Sequence, residues 1–222
     1  MLEEKCFDGR KEKKFDDSTK VLIDIFRATT TLPLMLYRSA EFIIPVRTVT
    51  ETRRMKAKNP EYLTSGERYG IRIPGFNYGN SPGVIINEDL SNKTLLFTST
   101  NGIKVLFKIM EYPGTIYLSS FINFTATYDA IKNSDRVSII VSNRPDGVSD
   151  EDYIYANMLK SKLEGKDVNV NDYCNQIRVS HGAKRLKIMG AGADIESSLK
   201  VDIYSNPVIY SNGKIMPLIK SL

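Results

Sequence analysis

Four short stretches of this chain gather carboxylates, guanidinium groups and hydroxyls where free backbone amides are expected. In "DIFRATTT", Asp24, Arg27, Thr29 and Thr30 stand between an apolar run and a helix-like segment. In "TSTNGIK", Thr98, Ser99, Thr100, Asn101 and Gly102 make a second junction of the same kind. The first amides of a helix lack partners and the helix dipole is positive there, so both places favour an anion. In "SDEDY", Asp150, Glu151 and Asp152 crowd a third helix start. Acids suit the dipole at that position, and they also suit an Mg²⁺ ion held by oxygen ligands. The fourth stretch, "ERYGIRIPGFNYGNSP", supplies Glu67, Arg68, Arg72 and Asn80 from a segment dense in glycine, proline and asparagine. That composition fixes much backbone and favours neither helix nor strand, and long ordered loops of this kind more often carry function than not. Arginine forks match phosphate, carboxylate and sulfonate oxygens. Each stretch has a plain structural reading too: a cap, a turn glycine, an Asp24–Arg27 ion pair. Taken together they point to a small, multiply charged anion.

Composition narrows the chemistry. His181 is the only histidine, so a histidine metal cage or a two-histidine relay is excluded. Cys6 and Cys174 have no metal-ligand spacing and read as two unconnected thiols, with their pairing open. Any metal must therefore sit on oxygen, which points to a hard ion such as Mg²⁺. No GxxxxGK[ST] loop is present, and neither cysteine has an arginine six residues on. The Asp-x-Asp of "DED" opens a helix, whereas an aspartyl-phosphate motif would end a strand. A net charge of +5 and a pI near 9.0 raise nucleic acid as a partner. The basic residues are scattered in short runs without interleaved aromatics, so nucleic acid is not expected. Apolar runs such as "VLIDIF" are too short to span a bilayer, and the first residues lack a signal-peptide core. A cytoplasmic protein without membrane contact is expected. Homo-oligomers are common among small enzymes, and nothing in the sequence fixes a stoichiometry.

The elements that must position these residues share one grammar: an apolar run, a polar turn, a helical pattern. It occurs at "KVLIDIF", "KTLLFTST", "GTIYLSS" and "RVSIIVSN", each followed by helical spacing. This alternation predicts an α/β fold, a layered α/β/α domain with a largely parallel core sheet. Ligands in such folds bind beyond the carboxyl ends of the strands, where all four polar turns are expected to lie. "AEFIIPV" predicts a further strand, and a helix is predicted from about Val49 to Lys58. "DYCNQIRVSHGAKRLKIMG" reads as one helix. "VDIYSNPVIYSNGKIMPLI" reads as a C-terminal hairpin about Asn212-Gly213, which makes the sheet mixed. With no linker or repeat, residues 1–222 read as a single domain.

In order along the chain, "VLIDIFRATTT", "SGERYGIRIPGFNYGNSP", "TSTNGIK", "SSFINFTA" and "GVSDEDYIYANML" resemble the 2-phosphosulfolactate phosphatase family. A weaker match begins at "DIESSLK". The chain departs from the family pattern at Ser99, usually threonine, at Asn77, usually aspartate, and in "SNRPDG". The resemblance implies an Mg²⁺-dependent phosphatase releasing phosphate from 2-phospho-3-sulfolactate on the route to coenzyme M. That substrate is a small trianion, bearing phosphate, sulfonate and carboxylate. Asp24, Glu67 and Asp152 are then expected to serve Mg²⁺ or activate water, with Glu151 as a further metal ligand. Arg27, Arg68 and the Thr98–Gly102 turn are expected to stabilise phosphoryl oxygens, with Thr29, Thr30, Asn80 and Asn123 in the binding set. Arg72 and Lys104 are expected to hold the sulfonate or carboxylate, and His181 to be structural. A phosphatase for another phosphorylated hydroxy acid and a non-catalytic anion binder are the alternatives.

Overall fold

The computed structural model describes residues 3–145 and 147–218, with the side chains of Glu3 and Glu4 left aside. Asp146, in the turn before the acidic helix, and Ile219, at the end of the predicted hairpin, lie outside the described residues. The strands are β1 (Glu3–Asp8), β2 (Thr19–Ile23), β3 (Phe42–Pro45), β4 (Leu63–Arg68), β5 (Ile71–Arg72), β6 (Thr94–Thr98), β7 (Ile116–Ser119), β8 (Arg136–Val141), β9 (Val208–Ser211) and β10 (Lys214–Pro217). They form one sheet in the order β1-β8-β2-β7-β9-β10-β3-β6-β4-β5. β1, β8, β2 and β7 are mutually parallel, as are β3, β6 and β4. The C-terminal hairpin sits between these blocks, antiparallel to β7 on one side and to β3 on the other. Three successive reversals therefore leave the two parallel blocks running in opposite directions.

The helices are α1 (Ala28–Tyr37), α2 (Val49–Lys58), α3 (Pro82–Ile85), α4 (Gly102–Ile109), α5 (Phe124–Ile131), α6 (Asp150–Leu163), α7 (Val170–Arg178), α8 (His181–Ile188) and α9 (Gly192–Ser198). Strand residues alternate between two cores. Leu22 of β2 packs with Leu32, Leu34, Leu95 and Leu106 on one face. Val21 and Ile23 pack with Phe121, Tyr155, Met158 and Ile177 on the other. A period of two on a sheet covered by helices on both faces is what the apolar runs demanded. Helix α1 is buried from Ala28 to Leu36 and packs against β7, β10, α3 and α4. A helix apolar on every side belongs inside, and this one carries the Asp24–Arg27 turn at its entrance.

The predicted single helix over "DYCNQIRVSHGAKRLKIMG" is two. Ser180 interrupts it, its hydroxyl accepting the Ala183 amide at 3.1 Å as the cap of α8. β1, β4, β5, α3 and α9 are additional to the predicted elements. β4 is "LTSGER", too polar to read as a strand although buried along most of its length. Cys6 is exposed and Cys174 buried, and both are free thiols. No helix among the described residues is long and apolar enough to cross a membrane.

Candidate active site

Asp24 leaves the end of β2 in a turn that its neighbours lock. Its amide donates to Thr29 Oγ1 at 2.8 Å, the Thr29 amide donates to the Asp24 carbonyl at 3.0 Å, and Thr30 Oγ1 donates to the Ile25 carbonyl at 2.9 Å. Thr29 and Thr30 thus hold the turn, are fully buried and line neither cavity of the site. Asp24 Oδ2 accepts the Gly102 amide, at the start of α4, at 2.9 Å. A β-carbon at Gly102 would lie 2.7 Å from that oxygen, so only glycine lets the helix start come this close. Burial, reinforced by the nearby Glu67 charge, pushes the Asp24 carboxyl up to about 6.

Glu67, in β4, organises two loops at once. Its Oε1 accepts the Thr100 amide at 2.5 Å, and its Oε2 accepts the Gly70 amide at 2.7 Å and the Thr100 hydroxyl at 3.1 Å. Arg68 donates to Thr98 Oγ1 at 3.0 Å and to the Glu67 carbonyl at 2.6 Å. The Thr98–Gly102 turn was expected to cradle a phosphate. Two of its amides instead hold Glu67 and Asp24, so the protein's own carboxylates fill the place read for an external anion.

The acidic helix divides its charges. Asp152 is buried and accepts the Ile25 amide at 2.8 Å, behind the Asp24 turn. Burial, then the Glu151 and Asp24 charges, hold its carboxyl well above the ordinary carboxylate range. Glu151 is paired with Arg144 at 3.3 Å, and its Oε2 is buried without a hydrogen-bond partner. Burial and the adjacent Asp150 push Glu151 up to about 8. Asp150 accepts the His181 amide at 2.9 Å, which ties α6 to α8, while the imidazole of His181 is exposed and outside the cavity.

These elements enclose a cavity of about 260 Å³. Asp24, Arg27, Glu67, Asn80, Thr100, Asn101, Arg144, Glu151 and Arg185 supply its polar wall, with Phe26, Tyr69, Leu186 and Met189 beside them. Arg185 is exposed there, and its guanidinium makes no hydrogen bond or ion pair with any described residue. A second cavity of about 280 Å³ adjoins the first through Arg27, Gly70 and Asn80, and adds Arg72, Asn77, Gly79 and Ser81. Asn80 Oδ1 is buried at this boundary with no partner. The structure therefore brings together the turns after β2, β6 and β8, but not the one after β7. There Asn123 is consumed in a capping box, accepting the Ser120 amide at 3.1 Å and donating to the Leu118 carbonyl at 3.1 Å. Lys104 points to solvent away from both cavities. The binding roles expected of Asn123 and Lys104 have no support in these surroundings.

Among the described residues, no three or more histidine, cysteine or carboxylate side chains stand together as a metal-ligand group. The expected set of four carboxylates is not assembled, because Glu67 and Asp152 face backbone amides. A hard ion that keeps its waters needs only one or two carboxylates plus substrate oxygens. Asp24 and the unpartnered Asn80 Oδ1 fit that requirement.

Sequence reading missed Arg144, Arg185 and Asp194. Arg144 sits in "SNRPDG" and Arg185 in the unremarkable basic run "GAKRLK", neither with a spacing signal. Asp194 opens "DIESSLK", where the weaker resemblance begins, and that was the one available pointer to it.

A family model described as 2-phosphosulpholactate phosphatase matches residues 6–213. A Thermoplasma volcanium protein named "Probable 2-phosphosulfolactate phosphatase" is 43% identical over 209 residues, covering 94% of this chain and 96% of its own. A Thermoplasma acidophilum protein of the same name is 41% identical, covering 94% and 93%. One from Thermotoga maritima is 31% identical, covering 88% and 90%.

Proposed function

The chain belongs to the 2-phosphosulfolactate phosphatase family, hence to the phosphoric monoester hydrolases, and from that premise we propose that it releases phosphate from 2-phospho-3-sulfolactate with Mg²⁺, in coenzyme M formation. The observation that carries the reading is one cavity where Asp24 meets Arg27, Arg144 and Arg185. A carboxylate for a hard cation beside guanidinium groups for phosphoryl oxygens is the provision that phosphoryl transfer needs.

Asp24 and Asn80 would hold Mg²⁺, which when bound supplies Lewis-acid polarisation of the phosphoryl group. Arg27 and Arg185 bind the equatorial oxygens. Water forms the new P–O bond as the ester P–O bond breaks, its proton leaving with the product phosphate or to solvent, and Glu151, protonated at neutral pH, gives its proton to the leaving alkoxide oxygen. Arg144 keeps Glu151 turned into the wall. The adjoining cavity, with Arg72 as its guanidinium, takes the distal acidic groups of the trianion. Glu67 and Asp152 act through the backbone they hold.

The test is a panel of phosphate esters, comparing 2-phospho-3-sulfolactate with a phosphorylated hydroxy acid bearing carboxylate in place of sulfonate. The sulfonate ester should have the higher kcat/KM, and Arg72→Ala should erode that preference mainly through KM. Equal turnover of both esters would transfer the assignment to a broader hydroxy-acid phosphatase. A folded, Mg²⁺-loaded protein that turns over neither, yet is stabilised by them, would be a binder.

A further inference from the structure

Arg27 is held by a carboxylate that lines neither cavity. Its Nη1 donates to Asp194 Oδ2 at 2.8 Å, with both side chains almost fully buried, and its Nη2 donates to the Gly70 carbonyl at 2.7 Å. The other Asp194 oxygen, Oδ1, accepts the Ser81 hydroxyl and, at 3.0 Å, the Gly83 amide. One carboxylate on α9 therefore grips the catalytic arginine with one oxygen and the end of the glycine-proline loop with the other. Arg27 lines both cavities, together with Gly70 and Asn80, and its two arms join the ends of that loop, Gly70 at one and, through Asp194, Ser81 and Gly83 at the other.

We propose that Asp194 is the positioning residue of the site, fixing Arg27 between the phosphate cavity and the adjoining cavity and coupling its placement to the substrate loop. The proposal rests on the phosphatase reading for its catalytic consequence, while the placement of Arg27 is testable without turnover. A guanidinium clamped at both ends is preorganised, and a shift of about 1 Å in such a group costs on the order of a hundredfold in rate. Asp194 also screens the charge of Arg27 with a buried partner, so the arginine stays in one geometry whether or not an anion is bound.

Asp194→Asn is the discriminating change. Its amide keeps an acceptor for Ser81 and Gly83 but sets an N–H₂ donor against Arg27 Nη1. Binding of inorganic phosphate would be measured by calorimetry, and kcat and KM on 2-phospho-3-sulfolactate alongside it, for wild type, D194N, R27A and the double variant. D194N should weaken phosphate binding by about tenfold, within the coupling that contacting residues show, and should add nothing to R27A. Ser81→Ala, which loosens the loop arm alone, should lower Tm and weaken phosphate binding by less than D194N does. If D194N fails to fold, Gly83→Ala replaces it, because its β-carbon would stand 3.1 Å from both Asp194 Oδ1 and the Ala193 backbone carbon, crowding the start of α9 and the carboxylate without removing it. Wild-type phosphate affinity in D194N or G83A, or losses that multiply in the double variant, would overturn the proposal. If the ester is not turned over by wild type, the substrate reading fails alone, and the phosphate cycle still decides the role of Asp194.

Discussion

Ionising Asp24 opposes folding. Its folded-state value near 6 lies above the ordinary 3.8, so the folded chain holds that proton more tightly than the unfolded chain. The contribution is most favourable below pH 3.8 and is lost as pH rises through about 6; above that the penalty is constant. Glu151, raised from 4.5 to about 8, adds a second loss ending near pH 8. Asp24→Asn should therefore raise Tm at pH 7.5, by the equivalent of up to about 2–3 kcal/mol, while lowering kcat/KM at least about 10²-fold. Equal or lower Tm in D24N would show that the carboxylate is not desolvated as described. Glu151 gives the pH profile its alkaline limb. Activity should fall as Glu151 loses its proton near pH 8, and Glu151→Gln should lower the rate about 10²–10⁴-fold. A flat profile between pH 5 and 9 would remove Glu151 as the proton donor. Asp24 and Arg27 were legible because they sit at a turn after an apolar run, and Glu67 because it opens the glycine- and proline-rich stretch. Asp194 was not, because a lone acid in a polar helix has no spacing to announce that it reaches an arginine 167 positions away.

Elements do more here than carry side chains; they decide which side chains meet. The start of α4 is one point of contact between the two parallel blocks, where the Gly102 amide reaches Asp24. Gly102→Ala should leave the fold cooperative and cut kcat/KM on the order of 10²-fold, since the new methyl must push the Asp24 carboxylate aside. Wild-type kinetics in G102A would mean that the position of Asp24 is not critical. Helices α1, α2, α4, α5 and α6 and strands β2, β3, β6, β7 and β8 were readable from period and composition, and the Asn212-Gly213 turn was readable because both residues take positive φ, 49° and 79°. β4 was not readable. Its "LTSGER" is buried by loops and by pairing with β6, a tertiary circumstance that overrides weak strand propensity. The anion-binding turn was misread for a related reason. Free amides at a helix start attract carboxylates of the same chain as readily as a ligand, and sequence does not say which arrives first.

At the scale of the molecule, the sheet is closed by its last residues. β9 and β10 lie between β7 and β3, so the two halves share no direct strand pairing. A chain ending at Ser205 should lose cooperative unfolding altogether, and a sharp thermal transition in that truncation would contradict this topology as the basis of a single folding unit. The hairpin was legible as a local motif, but its insertion at the centre was not, because strand order depends on contacts distant in sequence. The same arrangement draws the polar groups of the cavity from separate segments, Asp24 and Arg27 from the first part, Glu67 and Asn80 from β4 and the loop after it, Arg144, Glu151 and Arg185 from the second. The most direct test of the account is phosphate release from 2-phospho-3-sulfolactate by the purified full-length protein, with Mg²⁺ and again after EDTA. The account predicts turnover that EDTA abolishes and Mg²⁺ restores, and that D24N lacks. Undiminished turnover in EDTA would contradict the metal at Asp24, and no turnover by folded, Mg²⁺-loaded protein would contradict the substrate.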